Sequence, residues 1–398
     1  MRIREIIPGI NYVGVNDRST ERFEALWPLP SGVSYNSYLV KGNEKIALID
    51  TVELGHSRDF MDALHREAGI DKIDYLIINH MEPDHSGSIP GVIDAFPDIK
   101  IVGNKMTIPM VKGFYHIDDD ERFIQVAEDD VIDLGGCTLQ FKMTPMVHWP
   151  ETMMTFCPEK KVIFTGDAFG TFGALNGAVI DSDMDCDMYL REMYRYYSNI
   201  VGKYGRFAIA AVNKISHLDF DYICSTHGPV WHDLMPQAME ITRRLASYEP
   251  EEGVTIIYGS MYGNTADMAE AFAAALSRRG IKKIIVHNAV NSSLSDMISD
   301  AFRYEGLIIG APSYNGTIFP PVKQFLDAIV TREIKNKVVA TFGSYTWAPF
   351  SAKILDDTIT SLKLQNAGNM AIKQSLDSKT LEEIESIADN FVNMLTLK

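Results

Sequence analysis

From residue 254 to residue 398, strand-like and helix-like segments alternate without a break. Val254–Tyr258, Lys283–His287, Gly306–Gly310, Lys337–Phe342 and Asn369–Gln374 are short apolar runs. Each is followed by a stretch with helical periodicity: Ala266–Arg279, Leu294–Phe302, Pro321–Val330, Phe350–Ser361 and Ser378–Leu397. Parallel strands cannot be joined by a tight hairpin and need a crossover, so strict alternation implies an α/β fold, a doubly wound parallel five-stranded sheet with helices on both faces.

The preceding residues follow a different rhythm. Tyr35–Asp50 reads as two strands joined at Gly42-Asn43, Ser57–Ala68 as a helix and Ile73–Asn79 as a buried strand. Further strands are predicted at Ile99–Gly103, Val131–Lys142, Thr152–Cys157, Lys161–Thr165 and Tyr222–Ser225, and helices at Met188–Lys203 and Met235–Ala246. Tyr248-Glu249-Pro250-Glu251-Glu252-Gly253 carries the charge, proline and glycine of a linker. A chain of 398 residues exceeds what one core usually supports, and the expected domains are 1–247 and 254–398.

The formal net charge of −16 argues against a nucleic-acid partner, whose phosphates need a basic surface, and against an anionic membrane. The four cysteines, Cys137, Cys157, Cys186 and Cys224, form no Cys-x-x-Cys pair, which excludes a local iron–sulfur or rubredoxin-type knot. The N-terminus lacks the apolar run of a signal peptide, and no stretch approaches a membrane span, so a cytoplasmic location is expected.

His80-Met81-Glu82-Pro83-Asp84-His85 directly follows the predicted buried strand Ile73–Asn79, placing four candidate metal ligands in one loop at a strand's carboxyl end. His148, Asp167 and His227 each follow another predicted strand in the same way. Taken alone, His148 or His227 reads more simply as a hydrogen-bonded loop histidine, and Asp167 as a turn residue. Their recurrence behind the His80–His85 cluster favours a metal site. Together, His80, Glu82, Asp84, His85, His148, Asp167 and His227 offer four imidazoles and three carboxylates, enough for two metals if Asp167 bridges them.

This series, with Asp50 ahead of it as a structural aspartate, resembles the metallo-β-lactamase fold, an αββα sandwich whose usual loop is His-x-His-x-Asp-His and whose metal is commonly zinc. Here Glu82 replaces the second histidine. Zinc does no redox chemistry, and an added carboxylate suits the harder, redox-active iron.

In the second part, Ser260-Met261-Tyr262-Gly263-Asn264-Thr265 links the first strand to the first helix. Hydroxyls, a glycine and a helix N-terminus together suit a phosphate. The segment is neither a Gly-x-Gly-x-x-Gly fingerprint nor a Walker loop. It resembles the flavodoxin phosphate loop. Pro312-Ser313-Tyr314-Asn315-Gly316 and Ser344-Tyr345-Thr346-Trp347 follow later strands of the same sheet, with aromatics placed to stack on a flavin. In the family, glycines are expected where Thr346 and Ala348 stand.

A His-x-Glu-x-Asp-His loop ahead of a flavodoxin-like domain is the pattern of flavodiiron proteins. The resemblance implies one FMN and two non-haem irons, with His80, Glu82 and His148 on one iron, Asp84, His85 and His227 on the other, and His85 the least secure of these. It implies reduction of nitric oxide, dioxygen or both. Electrons would come from a rubredoxin or a rubredoxin–flavin reductase, because the chain resembles the minimal two-domain class. It also implies a head-to-tail homodimer, or a pair of such dimers. Many relatives place a histidine near the metals from the loop that here reads Phe23-Glu24-Ala25-Leu26-Trp27-Pro28; Tyr197 is the substitute candidate in the pocket. The residues leave open a zinc hydrolase with a flavodoxin appendage, a non-catalytic flavin electron carrier and a gas sensor without turnover.

Overall fold

The computed structural model describes residues 4–67 and 71–396. The chain divides into two compact units, Met1–Ala246 and Ser247–Lys398.

In the first unit, seven strands form one sheet in the order Arg4–Ile7, Ile10–Tyr12, Tyr38–Lys41, Ile46–Ile49, Tyr75–Ile77, Lys100–Gly103 and Phe123–Gln125. Five more form a second sheet in chain order: Val131–Asp133, Thr138–Met143, Met153–Cys157, Val162–Gly166 and Tyr222–Ser225. The two inner faces pack together. The Tyr38 ring meets Phe164 at 5.3 Å, and its hydroxyl donates to the Ser225 carbonyl at 2.6 Å. Met153–Cys157 and Val162–Gly166 are buried at every position, as expected of strands covered on both faces.

The expected single strand Val131–Lys142 is corrected to two antiparallel strands, Val131–Asp133 and Thr138–Met143. Gly135 (φ 81°) and Gly136 (φ 79°) turn the chain between them, a left-handed conformation that costs glycine little. The short N-terminal strands and the helices Thr107–Tyr115 and Gly205–Ile215 add to the elements expected from the sequence. The expected helix Met188–Lys203 is helical over Asp187–Tyr196 and then widens into a π-type turn, Tyr197–Val201. Of the expected helix Ser57–Ala68, Ala68 lies outside the described residues, as does Leu397 of the last helix.

The second unit is the parallel sheet that the alternation demands. Its strand order is Ile284–Asn288, Glu251–Tyr258, Tyr304–Tyr314, Val338–Tyr345, Gln365–Lys373, and every neighbouring pair is parallel. Phe272, Phe342 and Phe391 fill the core on one face, with the Phe272 and Phe342 rings stacked at 5.2 Å. Gly310 sits under that stack, where a Cβ would come within 2.0 Å of the Phe342 ring.

Candidate metal centre and flavin site

All seven sequence-derived ligand candidates converge at the carboxyl ends of strands in the first unit. His80 and Glu82 leave Tyr75–Ile77, and the short helix Pro83–Ser86 that follows carries Asp84 and His85. Its end is pinned by Thr51, whose N–H and hydroxyl both donate to the His85 carbonyl, at 2.8 and 2.7 Å. Asp167 follows Val162–Gly166. The loop carrying His227 is held by the segment Ser34–Asn36: the Asn36 side chain donates to the carbonyls of Ser225 and Gly228, both at 2.9 Å, and His227 Nδ1 lies 2.7 Å from the Ser34 carbonyl. That contact leaves Nε2 to face the cluster.

The ligand atoms fall into two groups, His80, Glu82, His148 and Asp167 in one and Asp84, His85 and His227 in the other. Asp167 stands in the first and reaches toward the second. Its Oδ2 lies 2.9 Å from His148 Nε2 and its Oδ1 2.8 Å from His85 Nε2. The Thr226 hydroxyl donates to Oδ1 at 2.6 Å and fixes the plane of the carboxylate. Burial would raise the Asp167 pKa, but His85, His148 and His80 hold it well below the ordinary range. His85 is turned toward the carboxylates, its side chain fully buried.

Unpartnered atoms show that the cluster suits metal ions. Both oxygens of Asp84, His85 Nε2 and His227 Nε2 are buried without a hydrogen bond, although His85 Nε2 and His227 Nε2 come within 3.2 and 3.3 Å of Asp84 Oδ2. Buried carboxylate oxygens that no N–H or O–H satisfies are costly unless a cation stands among them. A mixed imidazole and carboxylate set suits iron.

In the second unit, a cavity of ≈ 230 Å³ opens at the carboxyl ends of the central strands. Its walls are Ser260, Met261, Tyr262, Asn264, Thr265, Pro312, Ser313, Ser344, Tyr345, Thr346 and Trp347 from the expected loops, joined by Ala348 and Gln374. Gly263, with φ 100°, shapes the first loop instead of lining the cavity, and its N–H donates to the Ser260 hydroxyl at 3.1 Å. Asn315 and Gly316 form the turn between Tyr314, the end of its strand, and Thr317–Ile318, and all three stand off the wall. The helix Asn264–Arg278 begins with no side-chain cap, so its first N–H groups point toward the loop and can receive a phosphate.

Comparison with known proteins agrees with both sites. A family model described as ODP family beta lactamase matches residues 33–228, and a flavodoxin model matches residues 256–386. The anaerobic nitric oxide reductase flavorubredoxin of Escherichia coli O1:K1 is 31% identical over 364 residues, covering 90% of this chain and 74% of that protein. The rubredoxin oxygen:oxidoreductase of Desulfovibrio gigas superposes with a TM-score of 0.94 at 27% identity, covering 100% of this chain and 99% of that one. A variant of the flavo di-iron protein from Thermotoga maritima superposes with a TM-score of 0.90 at 27% identity, covering 99% of this chain and 98% of that one.

The chain belongs to the flavodiiron proteins. It is therefore an oxidoreductase whose cofactors are FMN and a two-iron centre.

Three residues of this flavodiiron protein that face the centre were not among the sequence-derived ligands. Glu151 is fully buried; its Oε1 lies 2.7 Å from His80 Nδ1 and accepts the Met81 N–H at 2.9 Å, an arrangement that turns His80 Nε2 toward the metals. Tyr196, next to the expected Tyr197 and lining the same cavity beside Asp167, has a buried hydroxyl without a hydrogen bond, and burial plus the charges of Asp167, Asp84 and Glu82 raise its pKa. Glu24 fills the side on which a histidine was noted as missing. Its carboxyl accepts the Trp27 indole N–H at 2.9 Å, and desolvation and the Glu82 charge raise it to about 7. Among the described residues, no helix is long and apolar enough to cross a membrane.

Proposed function

We propose that this chain reduces nitric oxide, dioxygen or both, drawing electrons from an external rubredoxin-type protein. When bound, FMN supplies electrons and the two irons supply the redox site for the gas. The single observation that carries this reading is the divided carboxylate of Asp167, one oxygen in each ligand group, beside the Glu82 carboxylate. Such an arrangement serves two ions acting on one small molecule.

On this reading, His80, Glu82 and His148 would hold one iron and Asp84, His85 and His227 the other, and Asp167 could serve both. Ser260 to Thr265 would hold the phosphate, and Tyr345 and Trp347, on the same cavity wall, would take the flavin ring. Both gas reductions consume protons as well as electrons. Tyr196 keeps its hydroxyl proton, and Glu24, an exposed residue, holds beside Glu82 a carboxyl that partial desolvation and the Glu82 charge make easier to protonate. Phe23, Tyr35 and Tyr196 surround the His227 ring at 5.3, 5.8 and 5.5 Å and keep bulk water from that side.

The names of the relatives support a rubredoxin-type donor. We place the protein in the cytoplasm, working as two domains, 1–247 and 254–398, in a head-to-tail homodimer. The deciding experiment measures iron and FMN in the purified protein, then compares nitric oxide and dioxygen turnover with one reduced rubredoxin. Two irons and one FMN per chain with turnover of either gas are expected. A protein without flavin, or one active only with zinc as a hydrolase, would overturn the proposal.

A further inference from the structure

A cavity next to the metal centre plays no part in the account so far. It offers about 20 Å³ of room for the centre of a water-sized molecule. The strand Met153–Cys157, the loop after Asp167 and the helices Asp187–Tyr196, Gly205–Ile215 and Met235–Ala246 all contribute to its wall. Val147, Met154, Met193, Val201, Ala208 and Val212 give the wall its apolar character, and every one of them is buried. Asp167 and Tyr196 line it too, and both also face the ligand cluster. A molecule in the cavity is therefore one side chain away from the metals.

The space is large enough for about one small molecule, yet its chemistry is poor for water, which needs two to four polar partners in a buried site, whereas the wall offers the Tyr196 hydroxyl, buried without a hydrogen bond, as one. The Asp167 oxygens are already engaged by Thr226, His85 and His148. The Thr242 hydroxyl donates to the Ala238 carbonyl within its own helix at 3.0 Å. What the walls do offer is dispersion contact with methyl, methylene and thioether groups. A neutral diatomic molecule gives up little hydration on entering such a space. Ala208, Ala211 and Gly170 keep it open, since larger side chains there would fill it.

We propose that this cavity is a binding site for one neutral diatomic gas, nitric oxide or dioxygen, beside the two-metal centre. The inference rests on the reductase reading above and adds to it a place where substrate collects before it reaches the metals. Such a site raises the local gas concentration, so its signature is in KM and not in the rate at saturation.

Xenon is the probe, because it occupies dry apolar cavities of this kind and needs no turnover. Crystals of the iron- and FMN-loaded protein under xenon pressure should show a xenon atom between Val212, Ala208 and Tyr196. Ala208→Leu should abolish that peak and raise KM for the gas about tenfold, the scale of a methylene or two in an apolar pocket, with kcat and iron content retained. Val212→Ile narrows the same space by one methylene and should act in the same direction should Ala208→Leu fail to fold. Absence of xenon from the wild-type cavity would overturn the proposal even if the protein reduces both gases. Loss of xenon in the variants with unchanged KM would overturn it as well. Xenon binding in a protein that reduces neither gas would support the cavity as a gas site and sink the reductase reading instead.

Discussion

Two carboxylates do most to organise the metal centre, and they do it differently. Asp167 touches both ligand groups, so Asp167→Ala removes a donor from each, whereas His85→Ala removes one donor from one group. Asp167→Ala is expected to lose most bound iron and all turnover, and His85→Ala to keep at least one iron. Equal, mild losses of iron in both variants would refute the bridging role. Glu151 acts through His80. Its carboxylate sits opposite the metal-facing nitrogen, 2.7 Å from Nδ1, and it holds the ring's tautomer and direction. Partners of this kind are worth about 10–100-fold in metal affinity. Competition with a chelator should show Glu151→Ala at the upper end of that range. Glu151→Gln should rescue much of the loss, because its amide oxygen can still accept from Nδ1 and from the Met81 N–H. Iron held by Glu151→Ala as tightly as by the wild type would rule out the positioning role.

At the scale of an element, the loop that leads into Asn264–Arg278 shows how a short run of residues makes a site. Gly263 at φ 100° lets the chain turn so that the uncapped helix start faces the cavity. A Cβ at Gly263 meets nothing within 4 Å, so a side chain there clashes with no neighbour and its cost is the backbone conformation alone. That cost is on the order of 1–3 kcal/mol for a residue other than glycine, because φ 100° with ψ −34° lies outside the left-handed helical well. Gly263→Asp should therefore fold, but it brings a carboxylate to the place expected to hold a phosphate. The purified variant should lack FMN by absorbance while retaining the iron content of the wild type. A variant that keeps its flavin would show that the phosphate sits elsewhere.

For the whole molecule, the two sites belong to two units, each at the strand ends of its own sheet. Only residues 247–250 stand between the helix Met235–Ala246 and the strand Glu251–Tyr258, and such a link reaches at most about 14 Å when fully extended. Antiparallel pairing of two chains removes the need for one chain to close on itself, and a two-fold pair is the commonest closed assembly. Asp167→Ala protein mixed with Gly263→Asp protein then provides the test. After subunit exchange, one site in the mixed dimer combines an intact flavin with intact iron ligands across the chain boundary, and activity should return. Demonstrated exchange without returning activity, or full turnover by a monomer, would show that the electron path stays within one chain.

The parallel sheet of the second unit could be read from periodicity alone, because each strand and each crossover carries its own local pattern of apolar residues and only one topology joins them well. The clustering of the ligand candidates was legible for a related reason: His80 to His85 are crowded into one loop, and His148, Asp167 and His227 each stand just past an apolar run. Other features have no local signature. The split of Val131–Asp133 from Thr138–Met143 hangs on two glycines inside what otherwise reads as one strand. Tyr196 and Tyr197 are adjacent in sequence, yet one step along a helix rotates a side chain by about 100°, and only helix packing sets the Tyr196 ring 5.5 Å from His227. Glu151 reaches His80 across 71 residues, and Asn36 reaches the His227 loop across 189. Periodicity reports which face of an element is apolar. Which distant side chains then meet, and how the oxygens of Asp167 are shared between two groups, depends on how the sheets pack, and tertiary structure alone decides that.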